Sequence, residues 1–362
     1  MLVTMIVFIL VFSIVVISHE LGHFLIAKLN GIRVLEFAIG MGPVLLKFTK
    51  GETRYVLRLL PIGGACMFEG EDGVYSNDNE EEDKTNSAKP SEKQEGSFND
   101  ANVWSRIATV FAGPFFNIVL AYLLSLIVVG FSGVTIPKIN ALTEGYPAAE
   151  AGLQAGDIIT KMNGERIYLQ DEVTLFSALN RGETIKIEYK RDGKRNTTTV
   201  VPKFSDEDNR YYIGFTIGEH LECKGLSLIK YSAYEVRYWL NATVKSLLML
   251  FQGKLSTNDL SGPVGIAVTI DETIEVAKPY GLPTVVLTMI NFAVLLSVNL
   301  GVMNLLPIPA LDGGRLLFLL IEVVRGKPIP PEKEGVVHFI GFVALMVLTV
   351  FVFYNDLVKI FS

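Results

Sequence analysis

The first eighteen residues carry no charged side chain, and this apolar run closes on Ser18-His19-Glu20-Leu21-Gly22-His23. As a helix continued to Lys28, the stretch reaches about 40 Å, enough to cross a hydrocarbon layer about 30 Å thick. An ionisable group inside a bilayer costs about 2.5–3.5 kcal/mol on insertion scales, so three in one turn need a reason. The spacing supplies one. On a helix His19 and His23 stand one turn apart on one face, where both imidazoles reach a single metal ion. Glu20 points in a neighbouring direction. Two histidine ligands, a carboxylate base and an open coordination position make up the zinc-hydrolase pattern. The other two histidines, His220 and His338, have no partner at ligand spacing and read as ordinary. The run lacks the basic n-region and small-residue cleavage site of a signal peptide, so it reads as a retained helix.

Half of the 362 residues are hydrophobic and 19% are charged. That balance fits membrane helices with an inserted soluble domain. A net charge of −6 argues against nucleic-acid binding. Three further apolar stretches are long enough to span: about Val103–Phe131, Thr284–Leu306 and Val336–Tyr354. Short-loop basic residues set the orientation. Lys28, Arg33, Lys47, Lys50, Arg54 and Arg58 follow the first span, and Arg315, Arg325, Lys327 and Lys333 follow the third. Both loops therefore face the cytoplasm, and both termini and residues 132–283 face outward. Cys66 and Cys223 fall in different compartments, which disfavours a disulfide.

The expected organisation is residues 1–28, first span with the metal motif; 29–68, β-hairpin region; 69–102, acidic cytoplasmic linker; and 103–131, second span. Residues 132–204 form an α/β domain, 205–283 an extracytoplasmic connector with an amphipathic helix, 284–315 the third span and ligand loop, and 316–362 a cytoplasmic turn and fourth span. The fold class is an α-helical polytopic membrane protein with an inserted α/β domain. Residues 33–68 pair two β-prone runs about Lys50-Gly51-Glu52, which reads either as a re-entrant element beside the motif or as a peripheral hairpin. In the domain, Asn163-Gly164 and Asp192-Gly193 mark tight turns. The aromatic stripe of residues 227–252 suits either the headgroup layer or packing on the domain.

The third metal ligand is expected from Asp312, in Asn304-Leu-Leu-Pro307-Ile-Pro309-Ala-Leu-Asp312-Gly313-Gly314-Arg315. Two prolines break the helix at membrane depth, a break that is costly unless it lines a site. The alternative is Asp312 as a helix cap or Arg315 partner. Asn117, in the helix just past Gly113-Pro114, bonds either to the active-site loops or to a neighbouring helix.

These motifs together resemble the site-2 protease family of intramembrane zinc metalloproteases, specifically the bacterial branch that processes anti-sigma factors. The resemblance rests on His19–His23, Gly113-Pro114-x-x-Asn117, Ser261-Gly-Pro-Val-Gly-Ile266 and Asn304–Gly314, and it covers nearly the whole chain outside the acidic linker. It implies one zinc per chain on His19, His23 and Asp312, with Glu20 as base. Substrate backbone would be held by Asn304, Pro307, Asn117 and the turn at Gly40 and Gly42. Met41 in that turn, and Ala65 after Gly63-Gly64, depart from the family's commoner residues. The 132–204 module resembles a PDZ domain, through Gly152-Leu-Gln-Ala-Gly156-Asp157. Implied partners are single-span membrane proteins, membrane lipid, and peptide termini at the PDZ-like domain. The implied location is the bacterial cytoplasmic membrane.

Overall fold

The computed structural model describes residues 2–71, 96–180, 182–206, 210–254 and 262–361. The chain forms two compact units: Met1–Ala121 with Ser246–Ser362, and Tyr122–Lys245.

Among the described residues four helices are long and apolar enough to cross a membrane. They are α1 (Leu2–Leu29), α2 (Val103–Ser132), α7 (Leu282–Asn304) and α9 (Pro331–Phe361). The last begins and ends beyond the apolar stretch read from sequence, because polar turns at both ends continue the same helix. In the first unit α1 packs on α7 and on α6 (Pro263–Ala277). The sequence reading placed no helix at α6. Its start is fixed from far away: the Asp356 carboxylate of α9 accepts from the Gly262 and Gly265 amides at 3.0 and 2.8 Å. A helix N-terminus leaves four amides without intrahelical partners, and a buried carboxylate satisfies two here. Residues 316–325 are likewise helical, within α8 (Asp312–Arg325), where a turn was expected.

β1 (Val34–Lys50) and β2 (Thr53–Phe68) form an antiparallel pair folded back by bulges, so that Phe37 faces both Tyr55 and Cys66. Glu36 is buried in this pair, and Arg54 Nε and Arg58 neutralise it at 2.8 and 2.9 Å. Of the acidic linker, residues 72–95 lie outside the described residues. Its edges are not solvated as expected. Phe98 stacks on Phe68 at 5.4 Å, the Phe98 amide donates to Glu69, and Glu71 pairs with Arg315. Burying Phe98 outweighs the polar composition around it.

The second unit carries a sheet ordered β10-β3-β4-β6-β7. Its strands are β3 (Val134–Leu142), β4 (Ile158–Met162), β6 (Ile185–Arg191), β7 (Lys194–Val200) and β10 (Phe215–Leu221), with β5 (Glu165–Arg166) beside β4. Two short helices, α3 (Pro147–Glu150) and α4 (Gln170–Leu179), complete the domain. A separate ladder pairs β8 (Lys203–Ser205) with β9 (Arg210–Tyr212). The expected turns are present, with Asn163 and Asp192 both at positive φ before a glycine. Ile139, Ile159, Met162, Val173, Ile185 and Ile187 form the core. The sheet runs past residue 204, because β10 pairs with β3 and belongs to the domain rather than to a connector. Tyr231, Tyr234 and Tyr238 of α5 (Leu226–Phe251) pack on Val129, Val134, Leu169 and Cys223. Cys66 and Cys223 are both free thiols.

Candidate metal centre

Three side chains from two distant segments converge inside the first unit. His19 and His23 project from α1, one turn apart, and both are buried. Asp312 is the first residue of α8, after the chain leaves α7 and turns through residues 305–311. Ala310 in that turn sits at φ 73°, a left-handed conformation that costs a non-glycine residue roughly 1–2 kcal/mol. Its amide donates to Nδ1 of His338 on α9 at 2.9 Å. His338 is thus no ligand but a brace for the loop that delivers Asp312. Gly313 permits the turn: a Cβ there would lie 2.5 Å from the Leu305 carbonyl oxygen.

The donor atoms make a near-equilateral triangle. His19 Nε2 to His23 Nε2 is 3.2 Å, and Asp312 Oδ2 lies 3.0 and 3.3 Å from them. Ligands about 2.0–2.1 Å from a tetrahedral zinc stand about 3.3 Å apart, so the triangle fits that ion. Asp312 Oδ2 is buried without accepting a well-aligned hydrogen bond from either ring. An ionic oxygen left so in a protein interior is costly unless a cation meets it. Among the described residues this is the one group of three or more His, Cys, Asp or Glu side chains placed to hold a metal.

The far side of each imidazole is also held. His23 Nδ1 donates to the Thr109 carbonyl of α2 at 2.9 Å, which turns Nε2 toward the cluster. Pro114, inside α2, lacks the amide that would bond the Val110 carbonyl, so the helix ladder is loosened just there. Asn117 places its amide 3.3 Å from His19 Nδ1, and its Oδ1 is buried without a partner. A half-turn of the amide sets that oxygen on Nδ1–H and gives His19 the same kind of support. The Asn117 amide therefore faces His19 of α1, a motif residue on a neighbouring helix. Asn304, at the end of α7, lies 3.5 Å from His19 Nε2.

Glu20 stands on the same turn of α1 and meets the β2 segment. The Cys66 amide is directed at its carboxylate, and a Cβ on Gly64 would come within 2.6 Å of Glu20 Cγ. The hairpin therefore lies beside the motif. Gly40 and Gly42, at φ 87° and 89°, shape the bend of β1 near Leu60. Pro307 is exposed on the 305–311 turn. Among the described residues no hydrogen bond or ion pair joins these three to the His–Asp cluster. Thr109 escaped the sequence reading, and Gly113 entered it only as part of a motif, with no role. A Cβ on Gly113 would lie 2.5 Å from His23 Cε1 and 2.9 Å from His19 Cε1, so α2 can pass the imidazoles only with glycine there. The Gly-Pro pair flags the position in sequence but does not say what it touches.

Apolar spanning helices around two histidines, an aspartate and an adjacent glutamate define a membrane metalloprotease. The chain belongs to peptidase family M50, whose model matches residues 7–348. It is 36% identical to a putative zinc metalloprotease of Clostridium acetobutylicum, over 97% of this chain and 96% of that one. It is 35% identical to the regulator of sigma-W protease RasP of Bacillus subtilis, over 99% of each. Zinc metalloprotease RasP of Geobacillus kaustophilus is 34% identical, over 98% of this chain and 97% of that one. The PDZ domain of an SdrC-like protein from Listeria monocytogenes is 27% identical over 22% of this chain and 85% of that chain, with a TM-score of 0.21.

Proposed function

We propose that this chain cleaves transmembrane segments of single-span membrane proteins, using one zinc ion held by His19, His23 and Asp312. The observation that carries the reading is the convergence of those three donors beside Glu20. An ion held there would supply Lewis acidity to the scissile carbonyl and the attacking water. Glu20 takes the proton from that water and passes it to the leaving amine, as general base and then general acid. Asn117 and the Thr109 carbonyl keep the imidazoles turned inward.

A substrate helix has its carbonyls tied up within itself, so it must open before it is cut. The β-element over residues 36–68, with its bend at Gly40 and Gly42, receives the extended segment by strand addition. Asn304 and the turn at Pro307 hold the unwound backbone on the opposite side. The relative named regulator of sigma-W protease favours anti-sigma factors as targets, with signal-peptide remnants as the alternative. The first, extracytoplasmic cut is made by another protease, and the PDZ-like domain admits only trimmed stubs or binds their new termini. Both termini and that domain face outward, and the metal lies toward the cytoplasmic side of the bacterial membrane.

The test uses purified full-length protein and a labelled single-span substrate in detergent. Glu20→Gln should keep its zinc and lose about 10²–10⁴-fold in cleavage. Equal cleavage by the two proteins would falsify the assignment. For orientation, a cysteine at Lys194 in a background lacking Cys66 and Cys223 should label from outside intact cells, and one at Lys327 should not. The reverse result overturns the topology.

A further inference from the structure

We propose that the second unit binds the phosphate-bearing headgroup of an anionic phospholipid, in a cationic cavity on the outer face of its sheet. The peptidase reading plays no part in this inference and can fail without it. The cavity measures about 720 Å³ and is lined by Lys161, Arg166, Lys190 and Arg195, against the single carboxylate of Glu188. Lys161 pairs with that carboxylate at 2.9 Å, so the cavity keeps an excess of positive charge in a chain whose net charge is −6.

The strand register makes this excess costly. Lys190 on β6 stands directly opposite Arg195 on β7, both lining the cavity. Like charges directly opposite on one face destabilise a sheet. Among the described residues neither forms an ion pair within 4 Å; Arg195 is only attracted at longer range by Glu188, which Lys161 already holds. An anion between them turns the repulsion into two attractions, and a phosphate suits both side chains, the guanidinium by a fork of donors and the ammonium as a point charge.

The second unit's own anatomy places this cavity at a membrane surface. Ile136 and Tyr231 line it, and both belong to the cluster that packs Val129 of α2. α2 is a spanning helix of 30 residues, about 45 Å long against about 30 Å of hydrocarbon, so its excess length reaches into the headgroup layers. Ser125 of α2 donates to the Ser232 carbonyl of α5 at 3.2 Å, one residue from Tyr231. Lys230 adds a further cation, 5.6 Å from the Tyr231 ring. Tyrosine and lysine at the end of a span are the side chains that anchor in a headgroup layer. The cavity thus presents cations to lipid phosphate at the level where lipid phosphate lies.

The test is binding by the full-length protein in mixed micelles. The probes are dioleoylphosphatidylglycerol and, as the zwitterionic control, dioleoylphosphatidylcholine, with bound lipid measured by native mass spectrometry. The variants are Lys190→Gln with Arg195→Gln, and the charge-keeping Lys190→Arg with Arg195→Lys. Each basic group near an anionic surface is worth about 1 kcal/mol, so the first pair should weaken phosphatidylglycerol binding about thirtyfold and leave phosphatidylcholine unchanged. The charge-keeping pair should bind as the wild type does, and added salt should weaken wild-type binding. Unchanged phosphatidylglycerol binding in the glutamine pair, or salt-indifferent binding in the wild type, overturns the proposal. Displacement by inorganic phosphate at concentrations equal to the lipid assigns the cavity to free anions. Displacement by an acidic peptide assigns it to a protein ligand. Either result overturns the lipid source.

Discussion

Gly113→Ala tests the geometry of the centre without replacing any metal ligand. The added methyl would sit 2.5 Å from His23 Cε1 and closer still to Nε2, where ordinary contact begins at 3.4 Å. His23 must then retreat by roughly 1 Å, several times the ~0.2 Å that metal–ligand distances tolerate. His19 is pressed as well, at 2.9 Å. A 1 Å misplacement in a catalytic constellation costs about 10²-fold, and disturbed ligand orientation costs about 10–100-fold in metal affinity. The helix itself gains, since alanine is favoured over glycine by up to about 1 kcal/mol. The expected protein is therefore folded but deficient in zinc. Zinc content after dialysis against graded chelator, circular dichroism, and cleavage of the labelled substrate measure the three quantities. Gly130→Ala on the same helix is the control, because its Cβ meets Leu228 at an ordinary 3.7 Å. If Gly113→Ala keeps wild-type zinc and wild-type cleavage, the packing of α2 against the imidazoles is not what sets the site.

Other outcomes follow from the same contacts. Burial pushes Glu235 up to about 7 from an ordinary 4.5, with Asp171 reinforcing the shift and a Trp239 hydrogen bond opposing it. The folded chain keeps this proton where the unfolded chain has lost it. The contribution is therefore full below about 4.5 and lost as pH rises through about 7, by at most about 3 kcal/mol. Hydrogen exchange in α4 and α5 should quicken beyond the intrinsic rate toward pH 8 in the wild type and not in Glu235→Gln; identical profiles count against it. Ala310→Gly should relieve the left-handed strain and raise thermal stability by about 1 kcal/mol, while His338→Ala should lower cleavage by freeing the Asp312 loop and His338→Gln, which keeps an acceptor, should lower it less. Asp356→Ala strips the start of α6 of two buried acceptors at about 1–3 kcal/mol each, which should appear as earlier protease nicking near residue 262. Unaltered digestion would deny Asp356 that role.

Much of this site can be read from the chain because its information is local. His19, Glu20 and His23 announce themselves by spacing on one helix, and Pro307 and Pro309 announce the break that frees Asp312. The turns at Asn163-Gly164 and Asp192-Gly193 are equally local, since positive φ selects so few residues. What stayed hidden depends on distant partners. Thr109 contributes only a backbone carbonyl, which no side-chain pattern encodes. Gly113 matters for what it leaves out. The start of α6 is written at Asp356 in another helix, and β10 joins the sheet because β3 offers it an edge. Phe98 looked solvated amid acidic neighbours because its stacking partner lies thirty residues earlier.

The division of the donors between α1 and the start of α8 bears on how such a protein is made. Histidines near the beginning of the chain emerge from the ribosome first, while the aspartate emerges only after three spans have been synthesised. A nascent or stalled chain owns two donors of three and no closed triangle. The triangle thus closes late in translation, once the helices that surround it have been made, and truncated products left in the bilayer lack it.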